Sequence, residues 1–115
     1  MSELFRQDEQ RVVAWVAFYY DENGPCEIRV ADVEDKCSRY WEGVGVYRAA
    51  ETWVRAFRRA KNNGLLGAVK ERRQPGTRWY WYAFSKSPEE LLAGIGPEFR
   101  GIVHGKRTST AARAA

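Results

Sequence analysis

The stretch VYRAAETWVRAFRRAKNNGLLGAVKERRQPGTRWYWYAF, residues 46–84, decides the fold. At 100° per residue, Ala49, Ala50, Trp53, Val54, Phe57 and Ala60 fall on one side of a helix, which predicts a helix from about Val46 to Lys61. Only Gly45 stands where a cap is needed, so its first turn is weakly specified. Asn62-Asn63-Gly64 ends it, Gly or Asn supplying the left-handed conformation that follows a helix. The pattern then changes to that of a hairpin, with arms Leu66–Arg73 and Thr77–Phe84. The joining Gln74-Pro75-Gly76-Thr77 has Pro second and Gly third, as a type II turn prefers. The second arm is dense in strand-forming rings. Trp79 and Trp81 face one side of it and Tyr80, Tyr82 and Phe84 the other, with core packing expected for at least one set.

Upstream, residues 4–20 read as a helix with Val12, Val13, Val16, Tyr19 and Tyr20 on one face. Trp15 and Phe18 point off that face, so the helix is apolar nearly all round and either lies between two layers or meets a second subunit. Asp21–Pro25 breaks the chain, and Cys26–Val30 suits one short strand. A second helix begins near Ala31 or Asp32, with Asp32, Glu34 and Asp35 at its positive end, and should bury Val33, Cys37 and one or both of Tyr40 and Trp41. Glu42–Gly45 is a turn. Beyond the hairpin, Ser87-Pro88-Glu89-Glu90 is a capping box that starts a short helix through Leu91, Leu92 and Ala93. The expected fold is mainly α with a small β-hairpin (α+β), in the order α-β-α-α-β-β-α. It forms one domain over residues 1–95, followed by a basic, weakly ordered tail over residues 96–115.

The composition, 44% hydrophobic and 30% charged, is that of a folded globular chain rather than a disordered one. No apolar run is long enough for a membrane span. Glu3, Asp8 and Glu9 stand where a signal peptide would be basic, so a cytoplasmic location is expected. Cys26 and Cys37 read as buried thiols, with a single disulfide as the alternative. With the isolated His104 they make too few ligands for zinc, so no metal and no cofactor is expected. No phosphate loop, catalytic triad or paired-carboxylate site is recognisable, and the chain is not expected to be an enzyme.

The net charge of +4 is unevenly spread. Residues 1–45 carry five bases against ten acids, whereas residues 46–86 carry ten bases against Glu51 and Glu71 alone. A basic pole opposite an acidic one is the electrostatic footprint of a nucleic-acid binder. On the polar side of the helix over 46–61, Arg48, Thr52, Arg55 and Arg59 lie within about 40° of one line. Such a face can enter a major groove, Arg pairing with guanine or phosphate and Thr52 meeting a base edge or a thymine methyl. Tyr47 is either a groove contact or a core residue. Around the hairpin turn, Arg72, Arg73, Thr77 and Arg78 form a second basic projection suited to a minor groove or a phosphate row.

The run from Ile28-Arg29-Val30-Ala31-Asp32-Val33 through Trp53-Val54-Arg55-Ala56-Phe57 and Asn63-Gly64-Leu65-Leu66 to Arg78-Trp79-Tyr80-Trp81-Tyr82 resembles the winged helix-turn-helix superfamily, including small bacterial and phage regulators of the MarR and PadR sort. The resemblance covers roughly residues 9 to 86. It departs from the pattern in the long, two-glycine segment before the third helix. The resemblance implies a recognition helix over Val46–Lys61 and a wing over Leu66–Phe84. It also implies a sequence-specific double-stranded DNA-binding regulator, acting as a homodimer on a two-fold site. Trp15, Phe18, Leu91 and Leu92 are the candidates for the dimer contact. The alternatives are a DNA-binding part of a replication, partition or recombination machine, and a winged helix used for protein–protein contact.

Overall fold

The computed structural model describes residues 3–76 and 80–100, with side chains from Arg6 onward. Thr77, Arg78, Trp79 and residues 101–115 lie outside the described residues.

Helix α1 (Glu3–Asn23) runs through the middle of the fold. Its residues from Val12 to Ala17 are all buried, Trp15 among them. The helix is apolar all round because it packs against two elements, α3 (Ala50–Asn62) and the short α4 (Pro88–Ala93). The alternative that α1 spends its extra apolar surface on a second subunit is therefore corrected at Trp15, and equally at Leu91, which is fully buried within the protomer. Phe18 and Leu92 are half-buried, and Phe18 packs its ring on Tyr40.

Strand β1 (Ile28–Arg29) leads without a break into helix α2, residues 30–42. This helix is α-helical at both ends and opens into a π-helical turn at Val33–Cys37. Asp32 closes its start by accepting from the Arg29 backbone N–H at 3.0 Å. Its buried side, Val33, Cys37, Tyr40 and Trp41, faces α1 and α3. Trp41 donates to the Arg11 carbonyl at 3.0 Å and stacks on Trp53. Both cysteines are free thiols. Burial pushes the Cys37 thiol well above its ordinary pKa.

Helix α3 starts later than its periodicity predicts. Ala49 is extended (φ −64°, ψ 147°) and carries no side-chain cap, so the helix begins at Ala50 and Val46–Ala49 arrive as a loop. Trp53, Val54, Ala56, Phe57 and Ala60 form its buried face. A large core side chain contributes about 1.5–3 kcal/mol when removed from water, so the alignment of this face fixes the rotation of the helix. Gly64, at φ +76°, turns the chain back toward buried Leu66.

Strands β2 (Val69–Arg73) and β3 (Tyr80–Phe84) form the hairpin, the first arm beginning later than the sequence pattern suggests. Gly76 has the positive φ that a type II turn requires at its third position. Gly67 matters more. At φ +82° a Cβ would lie 2.6 Å from the Ser85 hydroxyl, which accepts the Ala68 N–H where the hairpin closes. The sheet is antiparallel in the order β1-β3-β2, with Ile28 opposite Tyr82 and Arg72 opposite Trp81. Tyr82 and Phe84 rest edge-on against Phe57. Tyr20 locks α1 to the sheet, its hydroxyl donating to the Cys26 carbonyl and accepting the Phe84 N–H. Helix α4 has the expected capping box, Ser87 and Glu90 bonding each other's backbone N–H.

The packed part of the chain runs past residue 95. Ile95 and Phe99 are buried, Phe99 lies 5.6 Å from the Arg11 guanidinium, and the Gly96 N–H bonds Gln10. The fold is α+β, with helices around one side of a small three-stranded sheet. Among the described residues no helix is long and apolar enough to cross a membrane.

Candidate nucleic-acid interface

The polar side of α3 divides in two along the helix axis. One flank faces α1, where Asp8 and Glu9 are buried carboxylates. Arg59 donates to Glu9 at 2.9 Å, and Asn63 reaches the other oxygen of the same carboxylate. Arg48 stands in the loop before α3 rather than on the helix, and its Nε lies 3.1 Å from Asp8, which also holds Arg11 at 2.8 Å. Arg48 and Arg59 are each only 25% exposed. They fasten the loop before α3 and the last turn of α3 to α1, each guanidinium paired with a buried carboxylate. The line of Arg48, Thr52, Arg55 and Arg59 expected from spacing is thereby corrected at Arg48, which is not on the helix, while Arg59 stands on the helix paired with Glu9.

Arg55 remains on the outer crest of α3. It is 65% exposed and pairs with Glu51 one turn earlier. Such an i,i+4 surface pair is worth about 0.3–0.5 kcal/mol, so it gives way readily to a phosphate or a base edge. Thr52 is half-buried beside it. Tyr47, in the loop just before the helix, is 69% exposed and is not a core residue.

The opposite flank of α3 faces the hairpin. Arg58 is exposed and Lys61 half-buried. Lys61 lies 4.8 Å from the Tyr82 ring. Partial burial raises the pKa of the Tyr82 phenol, nearby Glu71 raises it further, and the Arg58 charge opposes both. Arg73 covers the Tyr80 ring at 5.6 Å, and Tyr80, Tyr82 and Phe84 are stacked in sequence along β3. Cations from α3 and from β2 therefore converge over one ladder of rings. Arg58 and Lys61 belong to the basic total of residues 46–86, but they lie off the line through Arg48, Thr52, Arg55 and Arg59. They sit about 60° and 120° round the helix from Arg55, on the side of the element that follows it. That offset was the signal available.

The other face of the sheet is built differently. Residues directly opposite in an antiparallel pair share a face, so Arg29, Trp81 and Arg72 form one row and Ala83 and Lys70 the next. The Arg72 guanidinium lies 4.1 Å over the Trp81 ring and forks onto Glu27, at 2.9 and 3.0 Å. That fork lowers the pKa of the Glu27 carboxyl and raises that of Arg72. Arg72 and Arg73, adjacent in sequence, thus point to opposite faces. Thr77 and Arg78 lie outside the described residues. Among the described residues no group of three or more His, Cys, Asp or Glu side chains could hold a metal ion.

Comparison with protein-family models, with curated proteins and with solved structures found no match.

Proposed function

We propose that the chain is a double-stranded DNA-binding protein of the winged helix-turn-helix kind, acting as a transcriptional regulator. In this reading α3 enters the major groove and the β2–β3 hairpin is the wing. The observation that carries the reading is the convergence of Arg58 and Lys61 from α3 with Arg73 from β2 on one side of the molecule. Two further features support it: the element order, and a sheet in which the strand entering α2 pairs with the second arm of the hairpin. A duplex seated there would meet Arg55 and Thr52 at base edges, and Arg58, Lys61 and Arg73 at phosphates, while Tyr47 lies at the entering end of the helix. Arg48 and Arg59 act as positioning residues that hold α3 at a fixed angle on α1.

The carboxylate beside Arg55 favours a second reading, in which the same surface docks a protein. That pair is exposed and solvent-screened, so it weakens a phosphate contact without blocking it. Selection of bound fragments from random duplex DNA separates the two readings. Enrichment of a recurring motif supports DNA readout, and a palindromic motif supports a two-fold dimer on the site. Recovery of no DNA at low salt would overturn the proposal.

A further inference from the structure

The hairpin carries cations and rings on both of its faces, although only the inner one meets α3. On the outer face the Trp81 indole lies between Arg29 of β1 and Arg72 of β2, its directly opposite neighbours. Lys70 and Arg72 are exposed there, and beside them lies an open groove of roughly 470 Å³ lined by Glu27, Lys70, Glu71, Arg72 and Ala83. The small Ala83 leaves that groove its depth. An aromatic ring on an open sheet surface, with Arg stacked on it and Lys beside it, has the chemistry of a platform for unpaired bases: bases stack on rings and on guanidinium planes, and the neighbouring cations follow the phosphates.

We infer that this outer face binds a single-stranded nucleic-acid segment, so that the hairpin sits where a duplex opens, with the paired arm on α3 and the inner face and the unpaired strand across Trp81. The inference rests on the duplex reading above for its inner half. An unpaired base would continue the stack of Arg72 on Trp81, and Lys70 would meet a flanking phosphate, while Arg29 stays paired with the buried Asp32 at 3.5 Å. Glu27 holds the Arg72 guanidinium in the stacking plane without a strand. A phosphate competes for the same fork, so strand entry exchanges one anion for another on a group that is already in position.

The test is a set of binding titrations by fluorescence anisotropy, using a blunt duplex, the same duplex with a single-stranded arm, and the arm alone. The forked substrate is expected to bind about five-fold or more tightly than the blunt one, the gain of one good base–ring stack. Trp81→Ala should remove that preference and leave blunt-duplex affinity unchanged. Because Trp81 is half-buried, Arg72→Ala and Lys70→Ala, at exposed positions, serve as the variants that keep the fold. Equal affinity for fork and blunt duplex would overturn the inference and leave the duplex reading standing. A fork preference that survives all three substitutions would remove the outer face from the account, and an arm bound as tightly alone as on the fork would overturn the two-faced geometry. Absence of binding to the blunt duplex would instead be the failure of the duplex reading.

Discussion

Replacing Asp8 by Ala removes a carboxylate that is 1% exposed and holds two guanidinium groups, Arg11 at 2.8 Å and Arg48 at 3.1 Å. Breaking a buried ion pair from one side costs about 3–5 kcal/mol, because the abandoned partner keeps its desolvation penalty. Here the abandoned groups are 15% and 25% exposed and can turn partly toward water, which places the expected loss near the lower limit, about 3 kcal/mol. For a domain of this size that is a fall of roughly 10–20 °C in Tm. Urea unfolding should show the midpoint moving down with the slope unchanged. Arg48→Ala should cost less, about 1–2 kcal/mol, because Arg11 stays to compensate Asp8. The double variant should show coupling of at least about 0.5 kcal/mol. An Asp8→Ala loss under about 1 kcal/mol, or strict additivity with Arg48→Ala, would refute the view that this pair fastens the loop before α3 to α1.

Other expectations follow from single contacts. Tyr20→Phe leaves the buried Phe84 N–H without its acceptor and should destabilise by about 1–3 kcal/mol in the same unfolding assay. Gly67→Ala should destabilise by more than the usual Gly-to-Ala change, since the new methyl meets Ser85 and Lys86 and the positive φ is strained; a Tm at or above that of the wild type would contradict this. In thiol titration of the folded protein, Cys37 should react only on unfolding and Cys26 sooner, because burial both hides the Cys37 sulfur and disfavours its thiolate. Glu90 has its pKa held down by the Ser87 backbone N–H, so its cap is fully formed above the ordinary carboxylate range. That contribution should fade as pH falls through the lowered value, and Glu90→Gln should remove the pH dependence.

Local signals made the elements legible. The apolar spacing of Trp53, Val54, Phe57 and Ala60, the Pro75-Gly76 turn and the Ser87–Glu90 box each act within a few residues, and each appears in the structure. The start of α3 was not legible, because Val46–Ala49 continue the helical spacing but have no cap to begin it. The site was only half legible for a related reason. Counting charge by segment separates an acidic beginning from a basic middle, but the chain folds the two together. Asp8 meets Arg48 and Glu9 meets Arg59 across forty and fifty residues. Helical spacing alone gives Arg48, Arg55 and Arg59 equal standing, and only the neighbouring α1 distinguishes them. Trp15 is a parallel case, since all-round apolarity does not tell a helix between two layers from a helix at a subunit contact.

The most direct test of the account is the salt dependence of affinity for duplex DNA, measured for the wild type and for single Ala variants at Arg58, Arg73, Arg48 and Arg59. Affinity should fall steeply with salt, with the logarithmic slope reduced by about one for Arg58→Ala and for Arg73→Ala. The slope should be unchanged for Arg48→Ala and Arg59→Ala, measured where both are folded. A slope lowered by the α1-facing arginines and untouched by Arg58 and Arg73, or no salt-dependent binding at all, would contradict the duplex reading.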